Sequence, residues 1–164
     1  MVDLSSVVLA VVGPTASGKS ALGLSLAQRY GGEVISCDST ASYRGFDIGT
    51  DKPSLAARRE IPHHLIDVAD PTEVYTAAHF ARDAAKTIRD IHGRDHVPVL
   101  VGGTGLYYRA LTRGLFPGPG ADEDLRRRLN RVADCRGVER LHEMLRRIDP
   151  RSADRIMPRD RKRI

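Results

Sequence analysis

The sequence has 164 residues, 26 Lys+Arg against 21 Asp+Glu, and a formal net charge of +5. That length suits one domain, or one domain with an appendage, burying roughly 68–70% of the unfolded surface; 41% hydrophobic and 29% charged residues exclude a disordered chain. The longest apolar run, Val7–Val12, falls far short of the roughly 20 residues that span a bilayer, and the start carries no signal-peptide pattern.

Val7–Val12 is a continuous, β-branched run ended by Gly13-Pro14, which predicts a strand buried on both faces, as in a parallel sheet. A helix follows over 20–30 with Leu22, Leu26 and Tyr30 on one stripe, stopped by Gly31-Gly32. Glu33–Cys37 reads as a second strand ending at Asp38. Residues 38–62 read as a long loop with a short helix near 54–59, and His64–Val68 as a third strand. Thr76–His92 reads as a helix with Ala77, Phe80, Ala81, Ala84 and Ile88 on one face, and Val97–Val101 as a fourth strand closed by Gly102-Gly103. Four alternations of strand and helix predict an α/β fold with a parallel sheet.

Past Phe116-Pro117-Gly118-Pro119-Gly120 no strand signal appears. Residues 122–132, 138–148 and 150–156 read as short polar helices, with narrow stripes of Leu125, Leu129 and Val132, then Leu141, Leu145 and Ile148. Charge divides at the same place: residues 1–120 hold 12 basic and 12 acidic side chains, and residues 121–164 hold 14 basic and 9 acidic, so the whole excess sits in a helical annex. An Arg-rich solvated surface and a polyanion-binding surface both account for it. The expected division is a core over 1–115 and a basic annex over 116–164. Cys37 and Cys135 form no CxxC pair, which fits a reducing cytosol rather than a disulfide or zinc framework. His63 and His64 are adjacent in a strand and point to opposite faces, so they read as one structural and one surface histidine rather than a metal pair.

Gly13-Pro14-Thr15-Ala16-Ser17-Gly18-Lys19-Ser20 matches G-x-x-x-x-G-K-[ST] between a strand and a helix. Its backbone N–H groups and the helix N-terminus suit a di- or triphosphate; Lys19 adds a point charge and Ser20 a hydroxyl for a magnesium ion. The fourth strand ends in glycines, not in the acid of an ordinary P-loop NTPase. The second strand does end in an acid, Asp38, expected beside the P-loop strand and facing the same crevice. Three roles fit Asp38: a water-mediated magnesium ligand, a general base, or a turn aspartate.

The run Asp38–Pro53 resembles the tRNA dimethylallyltransferase (tRNA isopentenyltransferase) family, with its Asp-Ser segment and Tyr43-Arg44-Gly45, Asp47-Ile48-Gly49-Thr50 and Lys52-Pro53. The P-loop, Pro62–Asp67 with Asp70-Pro71 and Tyr75–Ala78, and Leu100–Tyr107 agree with the same family in order and spacing. The resemblance implies a P-loop NTPase-like sheet whose loop, Gly13–Ser20, grips dimethylallyl diphosphate with Mg2+ at Ser20. It implies that Asp38 acts as base toward the exocyclic amine of an adenine beside the anticodon, with Thr104 and Lys19 at the reacting centre. It implies tRNA contacts at Asp38, Ser39, Thr40, Ala41, Thr104 and Arg126 and along Lys162-Arg163-Ile164. Expected partners are tRNA and dimethylallyl diphosphate, with the chain a cytoplasmic monomer away from membranes. Thr40-Ala41 stand where many members have Met-Gln. Members also continue for roughly one further domain past the position of Ile164, which implies an N-terminal portion whose sheet and RNA clamp are completed elsewhere.

Prenyl transfer puts negative charge on departing diphosphate, which Lys19, the loop amides and magnesium oppose, and the basic annex suits RNA phosphates. At this point an adenylate-directed isopentenyltransferase, a small-molecule P-loop kinase or NTPase, and a non-catalytic RNA-binding fragment stay open.

Overall fold

A computed structural model describes residues 6–116, 118 and 122–164. The chain forms two compact units, residues 1–116 and 117–164. The turn expected around 116–120 lies largely outside the described residues. The first unit runs β1 (Leu9–Val12), α1 (Lys19–Tyr30), β2 (Gly32–Ser36), α2 (Leu55–Glu60), β3 (His63–His64), α3 (Ala77–His92), β4 (Val97–Gly102) and α4 (Gly105–Arg113). Among the described residues the sheet has four strands, all parallel, in the order β1-β4-β2-β3.

That order corrects one expectation. Asp38 follows β2, and β2 is not the neighbour of the P-loop strand: β4 lies between them, pairing Val99 with Leu9 on one side and with Val34 on the other. Residues 97–100 of β4 are all buried, as the middle of a parallel sheet requires. An apolar run marks a strand but not its place in the order.

Helix α1 departs from its predicted stripe. Leu22 and Tyr30 are 54% and 40% exposed, while Gly23 and Ala27 are buried. The cause is close approach: a Cβ on Gly23 would stand 2.4 Å from Val101 Cγ2. Only the smallest residues fit against the sheet there, and Leu24 and Leu26 flank the contact. Helix α3 follows its predicted face. Thr76 caps it by accepting from the His79 N–H at 3.2 Å. Phe80 is fully buried and stacks on Tyr107 at 4.4 Å, so Tyr107 is a core residue.

The third strand is shorter than predicted. It covers His63–His64, because Leu65 (φ 61°) and Asp67 (φ 58°) are left-handed and break the ladder. The backbone after it turns instead onto the long loop: Asp67 N–H donates to Ala41 O at 3.1 Å and Val68 N–H to Ser42 O at 2.9 Å.

Glu33, within β2, is 3% exposed. Its carboxylate accepts from His64 Nε2 (2.5 Å), Arg94 (2.8 and 3.1 Å) and His96 Nδ1 (2.7 Å). Burial alone would raise its pKa; these donors overturn that and hold it down at about 2.

The second unit contains α5 (Glu123–Arg136), α6 (Val138–Ile148) and α7 (Pro150–Ala153). Asp122 caps α5, which extends a turn past the predicted end at residue 132. The predicted stripes are only part of the contact: Leu125 and Ile148 are 49% and 83% exposed, and the buried residues are Ala133, Leu141, His142 and Ala153. His142 Nε2–H donates to the carbonyls of both Ala153 and Ile156, at 2.9 Å each. Turning both carbonyls onto His142 ends α7 at Ala153, short of the predicted residue 156. Among the described residues no helix is long and apolar enough to cross a membrane.

Candidate active site

The P-loop joins β1 to α1 with two left-handed residues, Ala16 (φ 62°) and Gly18 (φ 79°). Ser17 Oγ–H donates to Pro14 O at 2.8 Å, and the Lys19 ammonium donates to the same carbonyl across the loop. Thr15–Ser20 line a cleft of about 680 Å³. Asp38, Thr40, Ala41 and Gly49–Pro53 line it too. Its remaining lining is largely aliphatic, with Ala21, Leu24, Val34, Ala57, Ile66 and Val101, and Ser36 and His63 as polar points. His63 Nδ1–H donates to Ile61 O at 2.6 Å, and burial leads the effects that lower its pKa, so the ring is neutral at pH 7.

Asp38 closes a turn. Its Oδ1 accepts from Thr40 N–H (2.8 Å), Thr40 Oγ1–H (2.7 Å) and Ala41 N–H (3.2 Å), and Ser42 Oγ–H donates to its backbone carbonyl at 3.0 Å. The turn-aspartate reading and a chemical role coexist, because one carboxylate oxygen is consumed by the turn while the residue still lines the cleft.

Thr104 is placed differently. It lines an adjoining cavity of about 260 Å³ with Val12, Gly13, Gly105 and Tyr108, and Gly102 and Gly103 belong to both spaces. Thr104 Oγ1 accepts from Ser39 N–H at 3.0 Å and donates to Ser39 Oγ at 3.3 Å, while Thr104 N–H donates to Cys37 O at 3.1 Å. The two loops touch through backbone: a Cβ on Gly102 would stand 2.1 Å from Cys37 O. Cys37 itself is fully buried, and burial leads the effects that push its thiol up to about 12, which leaves it no role as a nucleophile.

The remaining expected RNA contacts belong to the second unit. Arg126 pairs with Glu123 at 3.2 Å and Arg163 with Asp160 at 3.4 Å, all with exposed or half-exposed side chains. Arg161 bonds Asn130 and Asp134, and Arg159 bonds Glu139.

What sequence reading missed is an ion network built into the cleft wall around a buried lysine. The Lys52 side chain is 3% exposed, and its ammonium donates to Tyr43 O (2.6 Å), Asp67 Oδ1 (2.7 Å) and Asp47 Oδ1 (3.0 Å). Arg58 donates to Asp67 Oδ2 at 2.7 Å. Burial works against both charges, but the partners outweigh it, raising the pKa of Lys52 and lowering that of Asp67. The available signal was a set of oppositely charged residues in a loop otherwise full of glycine and proline.

Comparison with known proteins follows the same outline. A family model described as IPP transferase matches residues 41–164. A tRNA dimethylallyltransferase of Halorhodospira halophila is 54% identical over 161 residues, covering 98% of this chain and 52% of that protein. One from Geobacter metallireducens is 53% identical over 154 residues, covering 94% and 50%. The crystal structure of the full-length tRNA isopentenylpyrophosphate transferase from Bacillus halodurans is 45% identical with a TM-score of 0.64, over 95% of this chain and 52% of that one. A eukaryotic dimethylallyltransferase, solved in snapshots of its action on tRNA, is 32% identical with a TM-score of 0.71, over 95% and 39%. The chain thus spans about half the length of the curated relatives it matches. Its parallel sheet is P-loop NTPase-like, as in these structures, and with the family model covering residues 41–164 the chain belongs to the IPP transferase family.

Proposed function

We propose that this chain carries the diphosphate-binding and amine-engaging part of an enzyme that moves a dimethylallyl group from dimethylallyl diphosphate to the N6 amine of an adenosine next to the anticodon in tRNA, releasing diphosphate. The observation that carries the reading is the mixed lining of the cleft. The P-loop residues Thr15–Ser20 and the acid Asp38 share it with the aliphatic side chains of Leu24, Val34, Ile66 and Val101. A charged head joined to a short apolar tail matches that lining; a purine nucleotide buried against the aliphatic side chains would leave ring nitrogens unpaired.

Residues Gly13–Ser20 hold the diphosphate through loop N–H groups, the α1 N-terminus and Lys19, which oppose the charge that grows as the C–O bond breaks. The second Asp38 oxygen engages the incoming amine and takes its proton; the first is committed to the turn. Thr104 lies across the shared glycine wall and borders the reacting carbon.

The donor set fits Mg2+. Among the described residues no group of three or more His, Cys, Asp or Glu is placed to hold a metal, but the Ser20 hydroxyl is exposed in the cleft beside the loop. One protein hydroxyl suits an ion that keeps several waters and binds mainly through substrate phosphate. When bound, Mg2+ supplies charge neutralisation on the diphosphate.

Residues 1–115 then form the catalytic core, and 116–164 begin a basic tRNA-binding insertion. Asp38, Ser39, Thr40, Ala41 and Thr104 meet the flipped adenine and its neighbours, and Arg126 and Lys162-Arg163-Ile164 meet backbone phosphates. Among the described residues β1 is hydrogen-bonded only to β4, which suits a sheet that continues beside it in the longer relatives. The chain works as a cytoplasmic monomer. Incubation with Mg2+, labelled dimethylallyl diphosphate, ATP and unmodified tRNA tests the reading. Transfer of label to RNA is expected; ATP consumption without transfer overturns it.

A further inference from the structure

We propose that Lys52 and Asp67 are positioning residues for Asp38, setting its carboxylate from within the cleft wall, with the Lys52 ammonium committed to protein oxygens. The argument follows hydrogen bonds from one residue to the next. The Lys52 ammonium joins three separate stretches of chain: Tyr43 by its carbonyl, Asp47 and Asp67 by their carboxylates. Asp67 is itself held at a left-handed φ of 58° and clamped by Arg58. With its backbone so fixed, its N–H donates to Ala41 O and its carbonyl accepts from Arg44 Nε at 3.0 Å. Val68 and Ala69 N–H both donate to Ser42 O. Ala41 and Ser42 are the residues that grip Asp38, one through its Oδ1 and the other through its backbone carbonyl. The Asp38 turn is therefore held at Ala41 and Ser42 by residues 67–69, and Asp67 is held by Lys52.

The location of the network supports a geometric role. Lys52 lines the cleft together with Asp51 and Pro53, yet its side chain is nearly enclosed. An ammonium with three oxygen acceptors has no donor left for a ligand, so the charge is spent inside the wall. A hydrophobic staple would fill the same space without fixing direction; hydrogen-bonded charges specify orientation, and removing one partner leaves the other buried and uncompensated.

The inference rests on the proposal that Asp38 engages the amine, and the experiment separates the two. Lys52→Met is compared with the unaltered chain by hydrogen exchange and by prenyl-transfer kinetics. Exchange at Ala41, Arg44, Asp67 and Val68 should rise about tenfold or more while Thr104, bonded to Cys37 O, is unchanged. Turnover should fall about tenfold with KM for dimethylallyl diphosphate within about twofold. Lys52→Met combined with Asp38→Asn should be no more than about threefold slower than Asp38→Asn alone, because both remove the same function. If Lys52→Met does not fold, Asp67→Asn, which keeps the shape of the side chain, carries the same expectations. Unchanged exchange in either folded variant overturns the inference, as do losses that multiply in the double variant. Wild-type turnover in Asp38→Asn overturns the underlying reading instead, and is recognised because the exchange shift in Lys52→Met persists.

Discussion

Charge is used in opposite ways in the two units. In the first, charge is drawn into the structure at two points: Glu33 is bonded by Arg94, His64 and His96, and Lys52 by Asp47 and Asp67. In the second, six of the 14 basic side chains pair with acids, in bridges where at least one partner is about half exposed or more. Exposed pairs of this kind contribute about 0–1 kcal/mol each, so they do little for the fold. Charge fixes shape in one unit and faces solvent in the other.

The sharpest way to break this contrast is Asp38→Asn, which removes the first-unit charge proposed to engage the amine. Turnover should fall about 100- to 1,000-fold with diphosphate affinity intact, read by single-turnover transfer and by titration calorimetry; equal loss of both would make Asp38 structural. Next comes Lys19→Ala, which should weaken diphosphate binding about 100-fold, close to 2.7 kcal/mol, without changing the melting temperature.

Glu33→Gln sharpens the architectural side. It leaves Arg94 facing a neutral amide and should cost about 2 kcal/mol in denaturant unfolding, with diphosphate binding unchanged. The sign with pH is fixed by the depressed pKa. The Glu33 contribution is fully present above the unfolded value of 4.5 and is lost as pH falls toward about 2. The stability difference between the two proteins should therefore shrink between pH 5 and 2, and a difference that held constant would show that charge is not its source.

The smallest effects belong to the second unit. Replacing Arg128 or Arg131 with Gln should weaken tRNA binding about threefold and lower the slope of log affinity against log salt by about 1, with no change in unfolding. Cutting the chain after Gly120 should remove the salt-sensitive binding altogether. A stability loss from the single arginines would erase the distinction between the units.

Much of this was legible in the sequence, for identifiable reasons. The P-loop carries its own context of strand, glycine turn and helix, and α3 carries both a cap and a regular face. Strand order was not legible: Val97–Val101 and Glu33–Cys37 read alike, and only pairing shows which is central. Helix α1 misled because a glycine, silent in a hydrophobicity pattern, marks its contact face. His64–Val68 looked like a strand because composition does not report that Leu65 and Asp67 turn left-handed. In the site, the P-loop was read from spacing, Asp38 from its place after a strand and Thr104 from the resemblance alone. The structure sets Thr104 in an adjoining cavity, and the Lys52–Asp67 pair was hidden because its partners stand 15 positions apart with α2 and β3 between them.

The contact at Gly102 has one more consequence. Because backbone meets backbone there, with no side chain between, the separation of the Asp38 loop from the Thr104 loop is set by covalent and hydrogen-bond geometry rather than by rotamers. The gap cannot be widened or tightened by a change of rotamer. Under the proposed function the site is a fixed gauge, which a nucleotide enters only when it is already turned out to that width.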